Sequence, residues 1–137
     1  MKVLFADTSG WMACADKHDP VHKDALAARN DWLRSGGTLL LTDYVVDETL
    51  TLLRMRLGLP AAKIWWESVS ASPRVRIQYI SGDILESART QFFRFRDKTY
   101  SFTDCTSFAV MKTENLKKAL TTDLHFSQAG FQCLPQR

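Results

Sequence analysis

Apolar residues in this chain follow two rhythms, short unbroken runs and longer stretches in which they recur every three or four positions. "KVLFA" (2–6) is too short for a helix and is bounded by turn-type residues, so it predicts a buried strand. "DPVHKDALAARNDWLRSGG" (19–37) changes to helical spacing. Asp19 is placed to cap it, Pro20 takes the first helical position, Ala25, Ala28 and Trp32 share a face, and Gly36 or Gly37 stops it. "TLLLT" (38–42) reads as a second strand, followed by a helix over 43–58 ending at Gly58 and another opened by Pro60 and running to Ser72. "RVRIQYI" (74–80) alternates as a strand does, and residues 82–97 return to helical spacing through Leu85, Ala88, Phe92 and Phe95. A further helix starts near Thr103. "KKALTT" (117–122) supplies a fourth strand and "FQCLP" (131–135) a short fifth at the edge.

Strands alternating with helices imply parallel neighbours, because parallel strands need helical crossovers. The expected class is α/β: a three-layer α/β/α sandwich around a mainly parallel sheet of four or five strands, forming one domain over 1–137. In such sheets the ligand crevice lies beyond the carboxyl ends of the strands, where the winding reverses. Asp7 and Asp123 each follow a strand immediately and are aimed at that place.

Composition narrows the classes. The chain is 45% apolar and 24% charged, which suits a folded domain and excludes a disordered or low-complexity one. A net charge of +3 suits a polyanionic partner without requiring one. Asp7 interrupts the N-terminal apolar stretch well before it could serve as a signal-peptide core or span a bilayer, so no export or membrane role is expected. Cys14, Cys105 and Cys133 are widely spaced with no CxxC pair, which argues against a disulfide framework and fits a reducing cytoplasm.

Four acids carry the candidate chemistry, and each has a plainer structural reading. Asp7 and Asp123 can cap the helix or turn that follows. Counting about 100° per residue from Val45, Glu48 falls at about 300°, between Leu52 at about 340° and Met55 at about 280°, on the margin of the apolar stripe. Its neighbour Asp47 falls among solvated positions. An acid at a buried edge needs a partner, either a metal or a basic side chain. Asp104 shares a helix face with Ser107, Phe108 and Met111, and with Ser101 it has the S-x-x-D spacing of a capping box. Two carboxylates at 4 Å repel by about 4 kcal/mol at an effective dielectric of 20, so four gathered in one crevice require a cation. An all-oxygen set with hydroxyl neighbours suits a hard divalent ion, Mg²⁺ or Mn²⁺.

At these residues the chain strongly resembles the PIN-domain ribonucleases, in particular the VapC-like toxins of bacterial toxin–antitoxin pairs. "FADTSGW", "TDYVVDETLTLLRMRLG", "FRFRDKTYSFTDCTSFAVM" and "ALTTDLHFSQAGF" match the family's four acidic motifs in order, nearly end to end. The resemblance implies hydrolysis of RNA phosphodiesters by a metal-activated water. It assigns metal binding and catalysis to Asp7, Glu48, Asp104 and Asp123, and makes Ser9 a supporting hydroxyl. Thr8, Ser9 and Thr122 are expected to orient the carboxylates by hydrogen bonds. Many members carry a further acid one turn after the third motif, where Ser107 and Phe108 stand here, which leaves the number of metal ions open. A cognate antitoxin and a homodimer are implied, with Trp65 and Trp66 either core or, with Leu57, Leu59 and Ile64, lining an apolar groove for a partner helix or a second subunit.

Arg89, Phe93 and Arg96, at offsets of four and seven, are expected to share a helix face that contacts phosphates and bases, or else to be simply solvated. His18 and His22 straddle a helix start and do not suggest zinc. Three rival functions remain. The chain could be an RNA-processing nuclease without an antitoxin, a phospho-acceptor domain, or an inactive nucleic-acid-binding module. The second lacks an acid adjacent to Asp7, and retention of all four acids argues against the third.

Overall fold

A computed structural model describes residues 2–136. Five strands form one sheet: β1 (Val3–Ala6), β2 (Thr38–Thr42), β3 (Val75–Gln78), β4 (Lys118–Leu120) and β5 (Gln132–Leu134). Its order is β3-β2-β1-β4-β5, and all neighbours are parallel. The helices are α1 (Thr8–Ala15), α2 (His22–Arg34), α3 (Asp43–Leu57), α4 (Leu59–Ala71), α5 (Gly82–Arg94), α6 (Phe102–Thr113) and α7 (Leu124–Gln128). Leu39, Leu40 and Leu41 are all fully buried although successive strand residues point to opposite faces, so both faces of the sheet are covered, as expected of a parallel sheet. The winding runs outward from β1 to β3, then returns to place β4 on the other side of β1. The reversal therefore lies between the carboxyl ends of β1 and β4.

Local chemistry sets most boundaries. The hydroxyls of Thr42, Ser81 and Ser101 cap α3, α5 and α6 by accepting backbone N–H groups. Gly58, at φ 97°, ends α3 and begins α4, a conformation that a side chain would strain.

Several boundaries differ from the sequence reading. Asp19 is not the cap of α2: its carboxylate accepts from Val21 N–H in a preceding turn, and the helix starts at His22. His22 Nδ1 lies 2.7 Å from the Ala13 carbonyl and joins α2 to α1. Helix α5 stops at Arg94, where the extended Phe95 closes it on the Gln91 carbonyl. Strand β4 ends at Leu120, because the Thr122 N–H turns to the Ser9 hydroxyl and not along the sheet. On α3 the buried residues are Val45, Thr49 and Leu53, while residues 54–57 are all exposed, so Met55 does not belong to the stripe.

Candidate functional site

Asp7 follows β1 and caps α1. Its Oδ1 accepts from Gly10 N–H at 2.9 Å and from the Ser9 hydroxyl at 2.8 Å, although the side chain is only 5% exposed. Asp123 follows β4 and caps α7, its Oδ1 accepting from His125 N–H at 2.9 Å. Asp104 completes the predicted capping box: Ser101 Oγ accepts from its N–H, and its own Oδ2 accepts from Ser101 N–H. The capping and site readings of these acids thus hold together. Capping fixes the carboxylates, and the fold brings three helix N-termini to one crevice.

The crevice is a cleft of about 260 Å³ whose lining includes Asp7, Glu48, Asp104 and Asp123, so the four predicted acids converge. Glu48 reaches it half-buried from α3, and no basic side chain of the described residues pairs with it. Asp47, one residue earlier, is exposed as expected.

Burial is the largest influence on Asp7 and pushes its pKa up to about 7. The Gly10 and Ser9 hydrogen bonds oppose this, and the charge of Asp123 adds to it. Asp104 is raised too, by burial first and also by Asp123, against the opposing bonds from Ser101 and His125. Carboxylates that raise one another's proton affinity in this way favour a cation among them. Among the described residues, the hydrogen bonds to each aspartate fall on one oxygen, Oδ1 of Asp7 and Asp123 and Oδ2 of Asp104. The second oxygen of each is left for an ion. Thr8 also lines the cleft, but its hydroxyl is sealed from solvent and finds no hydrogen-bond partner among the described residues. The free carboxylate oxygens form a hard-oxygen donor set that fits a divalent metal.

Ser9 is the knot of the site. Its hydroxyl donates to Asp7, accepts from Thr122 N–H at 2.9 Å and lies 3.0 Å from the Thr121 hydroxyl, tying the first acidic motif to the last. The expected roles of the two threonines need correction. Thr8 orients no carboxylate, and Thr122 acts through its backbone. The working hydroxyl is Thr121, 1% exposed, which accepts from Asp123 N–H.

Three further residues escaped the sequence reading. His125 Nδ1 is 3.0 Å from Asp104 Oδ2 and 3.3 Å from Asp123 Oδ1, and its Nε2 is 3.0 Å from the Thr99 hydroxyl. With the proton on Nδ1 the ring donates to Asp104 and accepts from Thr99, while Tyr100 packs edge-on against it. A ligand atom from each of Asp104, Asp123 and His125 lies within 4.8 Å of the others. Asp19 and Arg56 also line the cleft. The histidine two residues after Asp123 and the arginine two steps of four after Glu48 on α3 were local signals, whereas Asp19 reaches the site only through tertiary packing.

The proposed RNA-facing residues are only partly assembled. Arg89 and Phe93 are exposed on α5, Phe93 by 75%, but Arg96 lies past the helix end and cannot share their face. Away from the crevice, Leu57, Ile64 and the buried Trp65 line a 340 Å³ apolar groove with Trp11, Cys14 and Val69, but Leu59 and Trp66 do not line it.

A parallel sheet wound in this order, with acids gathered where the winding reverses, is the framework of one nuclease fold. The chain belongs to the PIN-domain family, whose model matches residues 4–132. Within that family it is a VapC-like chain. It is 34% identical over 129 residues, 94% of this chain and 95% of the relative, to the 23S rRNA-specific endonuclease VapC20 of Mycobacterium tuberculosis. The crystal structure of that VapC20, described as a sarcin-ricin loop cleaving toxin, superposes with a TM-score of 0.84, covering 93% of this chain and 95% of VapC20. VapBC2 from Rickettsia felis, solved with a promoter DNA fragment, shares the fold at 12% identity and a TM-score of 0.70, with 96% of each chain covered. FitAcB from Neisseria gonorrhoeae does so at 17% identity and 0.67, with 95% of each covered.

Proposed function

We propose that this chain is a divalent-metal-dependent endoribonuclease toxin that cuts ribosomal RNA within a structured loop. The observation that carries this reading is the convergence of Asp7, Glu48, Asp104 and Asp123 on one cleft at the strand ends, in a chain so similar to an rRNA endonuclease. Asp7, Asp104 and Asp123 would hold the ion, Mg²⁺ or Mn²⁺, and Glu48 would bind it through water or accept the nucleophile's proton. A divalent cation bound there lowers the pKa of its water and offsets charge on the leaving oxygen. Ser9 and Thr121 keep Asp7 and the Asp123 segment in place, and His125 holds the orientation of Asp104. Arg89 and Phe93 offer a phosphate contact and a stacking face.

The protein acts in the cytoplasm as a homodimer. A cognate antitoxin restrains it, seating an apolar helix in the groove lined by Leu57, Ile64 and Trp65. Light scattering of the isolated protein and of the co-expressed pair tests both assemblies.

The decisive test uses intact bacterial ribosomes, with cuts mapped by primer extension. One cut in the large-subunit rRNA that needs Mg²⁺ or Mn²⁺, and disappears with EDTA or in Asp104→Asn, is the expected result. Cutting that survives EDTA, or scattered cuts in free RNA alone, overturns it.

A further inference from the structure

Arg56 stands in an unusual place for a cation. It follows Glu48 by two steps of four along α3, so Glu48, Leu52 and Arg56 share one helix face and line the same cleft, with Arg56 about 12 Å further along the axis from Glu48. A permanently charged guanidinium beside a cluster of carboxylates is expected to pair with one of them. Among the described residues it forms no ion pair and no hydrogen bond, and it is exposed. The cluster does not consume it.

Such a cleft has an electrostatic problem with its own substrate. The five carboxylates that line it, Asp19 included, and one divalent ion still sum to a negative charge, which repels an RNA backbone. A fixed cation at the rim, on the line of α3, relieves that repulsion. A planar fork of donors suits the non-bridging oxygens of a phosphodiester. Resting on the nuclease reading, we infer that Arg56 binds a backbone phosphate of the RNA strand and so directs that strand along α3 into the acidic cleft.

The test compares Arg56→Gln and Arg56→Lys in the full chain. An Asp104→Asn background is used for binding a synthetic RNA stem-loop and the parent background for cleavage. Arg56→Gln is expected to weaken RNA binding by roughly 10- to 100-fold. It should also flatten the dependence of log affinity on log salt by about 0.7 to 0.9, one phosphate's worth. Arg56→Lys keeps the salt slope and part of the affinity, and Mg²⁺ titration of the RNA-free protein is unchanged in both. Parental RNA affinity and slope in Arg56→Gln overturn the inference. So does a change confined to Mg²⁺ binding by the RNA-free protein, which makes Arg56 a counter-ion of the acids. A parent that binds RNA but never cuts it sinks the nuclease reading while leaving the Arg56 contact standing, and a parent that binds no RNA overturns both.

Discussion

Removing the charge of Asp7 should stabilise the metal-free protein while abolishing the activity. Burial holds this carboxyl near pH 7 instead of its ordinary 3.8. At about 1.36 kcal/mol per pH unit, keeping it ionised in the fold costs about 4 kcal/mol at pH 8. The folded pKa lies above the unfolded one, so the contribution of Asp7 to stability is fully present below pH 4, is lost as pH rises through 7, and is flat beyond. Asp7→Asn keeps an oxygen for Gly10 N–H and Ser9 but must place an amide N–H₂, which takes back about 1 to 2 kcal/mol. The net gain is about 2 to 3 kcal/mol, or a rise in Tm of roughly 10 °C in EDTA at pH 8, reversing to a loss of about 1 kcal/mol and a Tm lower by a few degrees near pH 4, where the parent carboxyl is already protonated. Differential scanning calorimetry across pH, with and without 10 mM Mg²⁺ (a concentration of about the order that saturates weak carboxylate sites), measures it. Mg²⁺ should raise the Tm of the parent and not of the variant. An Asp7→Asn protein with a native circular dichroism spectrum that is no more stable than the parent in EDTA at pH 8 refutes the claim that Asp7 is a strained charge awaiting a cation.

Other expectations follow from single contacts. A Cβ on Gly10 would sit 2.2 Å from the Leu120 carbonyl oxygen, so Gly10→Ala should destabilise by about 2 to 3 kcal/mol in urea unfolding, because neither backbone can yield cheaply. Ser9→Ala removes the tie among Asp7, Thr121 and Thr122 and should lower Mg²⁺ affinity roughly 10- to 100-fold by calorimetric titration. His125→Ala frees Asp104 and should lower cleavage roughly 10- to 100-fold, partly restored by higher Mg²⁺. Thr99→Val should do the same more weakly, through loss of the bond to Nε2.

What could be read from the chain divides along local and non-local lines. The strands and the helices α2 to α6 announced themselves through periodicity and caps, α1 and α7 only as whatever Asp7 and Asp123 could cap, and the Ser101–Asp104 box was visible at three residues' spacing and was found as drawn. Asp7, Asp104 and Asp123 were legible because they sit at the ends of those elements, and Glu48 because an acid at the edge of an apolar stripe is out of place. The misses were decided elsewhere. Thr122 and Thr121 differ in role only because Ser9, 113 and 112 residues away respectively, takes the Thr122 N–H and meets the Thr121 hydroxyl. Helix α5 ends three residues early, and Phe95 packs on Tyr100 beyond that end. His125 gains its partners Thr99 and Asp104 only once α6 and α7 are side by side. Arg56 shares the α3 face of Glu48 at two steps of four, but that face becomes a cleft wall only when α1 and α6 pack beside α3.

The bond from Ser9 to the segment after β4 also has a temporal side. A translating ribosome completes β1 and α1 early, but the crevice has no floor until residues 118–123 have emerged and slotted beside β1. A nascent polypeptide that has not yet reached residue 123 therefore lacks an assembled nuclease centre. For a protein whose proposed target is the translation machinery itself, an unfinished chain presents no assembled centre to the ribosome that makes it.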